Sequence, residues 1–414
     1  MLLFEQNLVI KSSLLTVFAG FLLHKRVIKL LQATGMIVEY NPFHNGHLYH
    51  LQQARKRTQA DVLIAVMSGN YLQRGEPAII DKWQRTKAAL INGVDLVVEL
   101  PLATAVEPAD RFAQGALAIL SQLGCSALAF GTENEQIDYQ AIGQRLATLP
   151  TRHAYFRDYK QTYATQLNQY YQDTLNLNSD APNHLLALSY ATSNAKLAKP
   201  LKLIPIARSG AQYLDQELNG SSIASATAIR HLVTAANFSH AALEKVVSAA
   251  TYQSLTTQPI MNWTTLFPYL KYKVESSSVF ELGQIYQMTE GLEYRFKKVV
   301  HQTTNFSELL RALKSKRYTY TRLQRLCLYV LLNIKQTEIT TTLERPYIRL
   351  LGFNKKGQAY LHQVKQDLEV PLISRVDQEV GGENGLLALE VKADWLYEQQ
   401  SGRTQDFGRS PIRV

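Results

Sequence analysis

Between residue 32 and about residue 230 the chain repeats one pattern: a short continuous apolar run, a polar loop, then a stretch with helical periodicity. The apolar runs fall at 34–38, 62–67, 96–98, 127–130 and 203–206. Continuous rather than alternating apolar runs read as strands buried on both faces, the signature of a parallel sheet. Helical spacing follows at 48–57, 81–91, 109–123 and 137–146. This alternation predicts a doubly wound, parallel-sheet α/β domain over 32–238, with a mostly helical insertion at about 152–198 before the last strand.

After residue 239 the strand signal thins. Apolar spacing in ALEKVV, LEYRFKKVV and RLQRLCLYVLL predicts helices over 240–335. Residues 345–398 read as a turn (GFNKKG), a short strand (VPLISRV) and a closing helix (GLLALEVKADWLYEQQ). The polar tail from Gln400 is expected to fray. The chain therefore divides into an extension (1–31), an α/β domain (32–238) and a helical region with a small mixed end (239–414).

The extension carries an apolar run from Leu14 to Leu23, ten residues against the ~20 of a spanning helix. Glu5 precedes it, Lys25 and Arg26 follow, and no small-x-small cleavage pattern appears, so a signal peptide is a poor fit. An added amphipathic helix or a mis-assigned start fits better, with Val27, Leu30 and Leu31 as alternative start positions. No membrane role is expected.

Composition sharpens this picture. The 414 residues are 46% hydrophobic and 19% charged, as in a globular protein. Lys and Arg number 44 against 34 Asp and Glu, and the formal charge of +10 suits an anionic partner, nucleic acid or acidic membrane. Two cysteines, Cys125 and Cys327, exclude a disulfide framework or a Cys-based zinc site and fit a cytoplasmic location. The sequence leaves the oligomeric state open.

The richest chemistry lies in GMIVEYNPFHNGH, residues 35–47. A strand ends near Glu39, Pro42 breaks it, and H-N-G-H opens a helix. His44 and His47, three apart, can share one side of that helix start, where free N–H groups favour an anion. Gly46 lets a flat ring or ribose approach the backbone. Two imidazoles there can donate to phosphate oxygens as charge develops, which fits adenylyl transfer with pyrophosphate leaving. A structural role or a metal role competes. However, His50 falls ~240° around the helix from His44, so the three histidines do not share a face, and no protein metal ligand is assigned. Downstream, SSIASATAIR (221–230) reads as a hydroxyl-rich helix start: Ser225 as N-cap, with Thr227 and Arg230 turned toward it, a possible phosphate clamp. An ordinary cap with a surface arginine is the alternative.

The two motifs together resemble the HIGH-motif nucleotidylyltransferase superfamily, which implies ATP binding and a nucleotidyl-transfer half-reaction, usually with Mg2+. The stretches GMIVEYNPFHNGHLYHLQQAR, AVMSGNYLQRGEPAIIDKWQRTKAAL, GVDLVVELP, FGTEN, APNHLL, IPIARSGAQY, SSIASATAIR, KRYTYTRLQR and RLLGFNKKG resemble, more narrowly, the bacterial tRNA(Met) cytidine acetate ligases over about 32–410. That family activates acetate with ATP as acetyl-adenylate. It then transfers the acetyl group to the wobble cytidine of elongator tRNA(Met), giving N4-acetylcytidine. The resemblance implies an ATP-contacting segment of Ile37, Val38, Glu39, Tyr40, Asn41, Pro42, Phe43, His44, Asn45, Gly46, His47, Leu48, Tyr49 and His50. It adds Gly131, Asn183 and Arg208 as further nucleotide contacts. A plain turn glycine, a helix cap and a surface arginine are their ordinary readings. Ala207 stands before Arg208, where a polar side chain is expected in many members.

The SGNYLQRGEP loop (68–77), with Ser68, Asn70, Gln73, Arg74 and Glu76, follows the second strand and reads as a mobile cover over the acyl-adenylate, with a solvated loop as the alternative; Lys82, Arg85 and Lys87 on the next helix read as a solvated face or as tRNA contacts. Residues 291–325 carry nine basic and two acidic side chains. Lys314, Lys316, Arg317, Tyr318, Arg322 and Arg325 interleave charge with rings, the composition for phosphates and unpaired bases, and are the candidate tRNA surface. A small-molecule nucleotidylyltransferase and a non-catalytic RNA-binding protein are the competing functions. Long chain length and the intact H-N-G-H count against each in turn.

Overall fold

The computed structural model describes residues 30–148, 163–175, 182–208, 223–235, 238–289 and 291–414. The apolar run at 14–23 and part of the 152–198 segment lie outside them; within that segment helices occupy Tyr163–Leu175 and Pro182–Asn194. Five strands, β1 (Ala33–Val38), β2 (Val62–Ser68), β3 (Leu96–Leu100), β4 (Ala127–Thr132) and β5 (Lys202–Ala207), run parallel in the order β5-β4-β1-β2-β3. All seven residues of β2 are buried, because helices cover both faces of the sheet. The order reverses between β1 and β4, and ligands of open α/β sheets bind at the carboxyl ends of strands flanking such a reversal.

The sheet does not stop at residue 238. β6 (Ile348–Phe353) pairs antiparallel with β3, and β7 (Leu372–Ile373) and β8 (Ile412–Arg413) pair with β6. Residues 32–414 form one compact unit, so the expected division at 238/239 is not a break in the packing. GFNKKG is no simple turn: Gly352 and Phe353 close β6, and Asn354 caps the helix Lys355–Val364 by accepting from the Lys356 and Gly357 N–H groups. The tail from Gln400 does not fray, since Gln405 and Asp406 are buried and β8 ends in the sheet.

A buried charge cluster explains why. Lys82 is fully buried, with Nζ 2.9 Å from Glu99 Oε1, 2.5 Å from Asp394 Oδ2 and 3.2 Å from Asp406 Oδ1. Arg349 Nη1 lies 2.5 Å from Asp406 and 3.3 Å from Glu99. Asn70 Nδ2 donates to Asp394 and to Gln405 at 2.9 Å each. These bonds join the helix Lys82–Ile91 and β3 to the last 20 or so residues of the chain, where ends normally fray. Arg85, also fully buried, donates to the carbonyls of Glu39, Ser68, Gly69 and Ile80 and pins the carboxyl ends of β1 and β2. The solvated face therefore reduces to Lys87, because periodicity does not reveal that Lys82 and Arg85 have internal partners.

The 68–77 loop is packed rather than loose. Leu72 N–H donates to Glu76 O, Gly75 N–H to Leu72 O, and Ala78 N–H to Asn70 O. Trp263 Nε1 donates to Gly75 O at 3.1 Å. Gly75 has φ +77°, and a Cβ there would sit 2.7 Å from the Arg325 backbone, so this glycine allows the loop to dock against the helix Tyr320–Leu331.

Candidate active site

A cleft of about 1150 Å³ opens at the β1/β4 reversal. Its floor is the turn that follows β1. Asn41 Oδ1 accepts from the Ile79 N–H at 2.7 Å, and the main chain then enters the helix Asn45–Thr58. His44 is that helix's N-cap. Its Nδ1 accepts from Gly46 N–H at 3.0 Å, while its own N–H donates to His47 Nδ1 at 3.3 Å. This is a capping box built from two histidines, with imidazole nitrogens in place of the usual oxygens.

The box fixes the chemistry. An Nδ1 that accepts a hydrogen bond leaves the ring proton of neutral imidazole on Nε2. His44 and His47 stack at 3.8 Å between centroids, with Tyr40 edge-on to His47 at 5.0 Å, and both histidines line the cleft. Burial, with Arg208 and Arg230 nearby, pushes the His44 imidazole down to about 3. Burial and then the neighbouring His44, His50 and Arg208 hold His47 well below the ordinary histidine value, against a small upward pull from the Pro42 carbonyl. Burial and Arg208 bring His50 to about 4. At neutral pH the His44 and His47 imidazoles are both neutral. No histidine limb is then expected in the pH dependence of adenylation between about pH 5 and 8; a rate profile over that range checks this.

The cap leaves no room at Gly46. A Cβ would lie 2.8 Å from His44 Cε1 and 3.0 Å from its Nδ1. Gly46→Ala is expected to displace the His44 ring and cut adenylation on the order of 10²-fold, the cost of a misplacement of about 1 Å. ATP–pyrophosphate exchange measures this, with thermal unfolding as the control for stability.

The downstream motif closes over the turn. Ser225 caps the helix Ala226–Thr234 by accepting from Ala228 N–H. Arg230 Nη1 donates to Asn41 O at 2.9 Å, its Nη2 donates to Thr227 Oγ1 at 3.3 Å, and Ile223 packs over Gly46. Gly131 in β4 faces the cleft, and only the Arg208 side chain, at 3.7 Å, would meet a Cβ there. Arg208 follows β5 and is anchored by its N–H to Thr132 O. Asn183 is the second residue of its helix; its side chain lies outside the described residues. Of the expected nucleotide contacts, Ile37 to Asn41, His44, Gly46, His47, Tyr49, His50, Gly131 and Arg208 line the cleft, as do Ser225, Thr227 and Arg230.

The basic segment divides in two. Arg317, Arg322 and Arg325 line the same cleft, whereas Lys316 points to solvent and Lys314 Nζ sits 5.5 Å over the exposed Tyr320 ring. Tyr318 is no open stacking platform: it is buried, with the Arg322 guanidinium 4.3 Å above its ring. Arg295 and Lys297, counted with the surplus charge, instead cap carbonyls at helix ends, including Ala312 O and Val274 O.

Sequence reading missed a second wall. Glu107, Arg111, Tyr286 and Gln287 line the cleft beside the arginines and beside Gln73 of the 68–77 loop, and their scattered positions carry no motif. Every cation lining the cleft is arginine, seven in all and no lysine among the described residues. Arginine suits bidentate contacts to phosphate and stacking on bases.

The HIGH Nucleotidyl Transferase family profile matches residues 31–409. The tRNA(Met) cytidine acetate ligase of Latilactobacillus sakei subsp. sakei is 54% identical over 382 residues, 92% of this chain and 97% of that protein. The ligase of the same name from Lactobacillus gasseri is 45% identical over 93% of this chain and all of its own length. The chain belongs to the tRNA(Met) cytidine acetate ligase family. Among solved structures, Thermotoga maritima TmcAL in its apo form superposes with TM-score 0.82 at 28% identity, over 93% of this chain and 100% of that one. The same protein bound with alpha-thio ATP gives TM-score 0.79. The family's fold thus accounts for both the parallel sheet and the C-terminal elements that complete it.

Proposed function

We propose that this chain activates acetate with ATP and acetylates the exocyclic amine of the wobble cytidine of elongator tRNA(Met); its relatives carry the name tRNA(Met) cytidine acetate ligase. The observation that carries the reading is the histidine capping box, which aims two neutral Nε2–H donors from a helix N-terminus into a cleft lined by Arg208 and Arg230.

In the first half-reaction an acetate oxygen bonds to the α-phosphorus of ATP, the bond to the bridging oxygen breaks, and pyrophosphate leaves with the electron pair. Charge grows on the α-phosphate oxygens, where the Nε2–H groups of His44 and His47 donate. Arg208 and Arg230 offset the charge of the outer phosphates, and the Ser225 cap and Thr227 hold Arg230 in place. In the second half-reaction the cytidine N4 bonds to the acetyl carbon, AMP leaves, and N4 gives up one proton. Magnesium, when bound, offsets the pyrophosphate charge. Among the described residues no group of three or more His, Cys, Asp or Glu is placed to hold a metal ion. Glu39 Oε1 accepts from Gln73 N–H, and Glu107 accepts from Tyr286. A metal here would be held through phosphate oxygens and water, as Mg2+ commonly is.

The exposed Lys316 and Tyr320, with Lys314, form the outer surface for the tRNA, and Arg317, Arg322 and Arg325 lead from it into the cleft. The reading is tested by ATP–pyrophosphate exchange. Exchange that requires acetate and no RNA supports it; exchange that ignores acetate overturns it.

A further inference from the structure

The wall made by Glu107, Arg111, Tyr286, Gln287 and Arg325 has no part in nucleotide activation as derived above. It lies one side chain from the histidine segment: Gln73 donates its N–H to Glu39 Oε1 at 2.8 Å and its Nε2 to Glu107 O at 2.7 Å, spanning both walls. The wall is rigid. Tyr286 OH donates to Glu107 Oε1 at 2.6 Å and accepts from Arg111 Nη1 at 2.7 Å, and Tyr286 N–H is fixed to Ile334 O. Arg322 Nη2 donates to Thr289 Oγ1 at 3.2 Å and ties the next helix to this turn.

Two features are not explained by packing. Gln287 sits at φ +61° as the third residue of the turn that Met288 N–H closes onto Ile285 O. Its Nε2 lies 3.3 Å from the Glu107 carboxylate, which only accepts, so the amide orientation is set and Oε1 turns away with no partner among the described residues. Arg325, 6% exposed, has a buried Nε with no hydrogen-bond partner, and its guanidinium faces the cleft. An oriented acceptor beside arginine donors is the complement of a base edge that carries one donor and two acceptors.

We propose that Gln287, Arg111 and Arg325 form the subsite for the acceptor cytosine, with Gln287 Oε1 accepting from the exocyclic amine and the arginines donating to N3 and O2. This rests on the ligase reading above. Gln287 holds an amine proton in a hydrogen bond and does not remove it. It thereby orients the N4 lone pair toward the adenylate site. Uridine presents an acceptor, O4, where cytosine presents N4, so the same amide oxygen rejects it. Arg111, with its side chain 58% exposed, and the deeper Arg325 supply the donors from two depths of the cleft.

The test uses full-length tRNA(Met) transcripts carrying cytidine or uridine at the wobble position. Gln287→Gly removes the amide and also relieves the positive φ, so its fold is not at risk. The variant is expected to keep acetate-dependent ATP–pyrophosphate exchange and to lose acetyl transfer by roughly tenfold or more in kcat/KM. The cytidine and uridine transcripts are expected to bind it about equally, whereas the unaltered protein prefers cytidine. Arg325→Lys, which keeps charge but not the planar fork, should weaken transfer in the same direction. Exchange intact with transfer and base preference both unmoved by Gln287→Gly overturns the subsite alone. Loss of acetate dependence in the unaltered protein overturns the ligase reading, and the subsite with it.

Discussion

His47→Ala is expected to lower acetate-dependent ATP–pyrophosphate exchange by roughly 10²- to 10³-fold, the usual loss for one preorganised donor at a developing anion. The effect has two parts, because His47 does two things. Its Nε2–H is the proposed donor to the phosphate, and its Nδ1 receives the His44 N–H and so completes the cap. His47→Asn separates them: the amide oxygen stands where Nδ1 was and keeps the cap, but no donor reaches the Nε2 position. If the Nε2–H acts on the phosphate, both variants lose exchange to a similar extent, and tRNA binding measured by filter retention persists in both. Full exchange in His47→Asn would remove the donor from the mechanism and leave His47 as a cap.

The second large effect is on stability. Lys82→Met is expected to cost ~3–5 kcal/mol, because it leaves Glu99, Asp394 and Asp406 buried with Arg349 as the remaining cation. The pH dependence follows from burial. Desolvation already raises the Asp394 carboxyl to about 7 against the opposing pull of Lys82, and without Lys82 it rises further. A carboxyl whose folded value lies above its unfolded value binds more protons in the native state. Its folded state is thus favoured at low pH and loses stability as pH rises through the interval between the two values. The variant's deficit should therefore be larger near pH 8 than near pH 5–6. Urea unfolding of both proteins at the two pH values measures it; an equal deficit would show that the cluster does not depend on Lys82 for its charge balance.

Legibility in the sequence followed the range of the interactions. The helix at 109–123 was readable because its signal is local and repeats along the element, and the observed helix Ala109–Gln122 matches it. The histidine turn was readable because strand end, proline, cap and both imidazoles fall within about a dozen residues. Lys82 and Arg85 were misread as a solvated face for the opposite reason. Nothing near them in the sequence announces Asp394 and Asp406, more than 300 positions away, or the carbonyls that Arg85 collects from strand ends. Tyr318 looked like a free ring for stacking, and only the fold places Arg322 over it.

By itself the sequence determined the parallel sheet, the helix that starts at H-N-G-H and the hydroxyl-rich cap at Ser225, because backbone propensity, capping and burial period are written locally. The structure adds that Nδ1 of each histidine accepts in the cap, a contact two or three residues away whose geometry residue identity alone does not orient. It also decided that residues 348–414 complete the sheet and lock its charges, and that Gln287 and Arg325 face the same cavity as His47. The sheet pairing and the charge cluster join residues far apart in the chain, so each of those buried polar groups is satisfied only by a partner that folding brings to it.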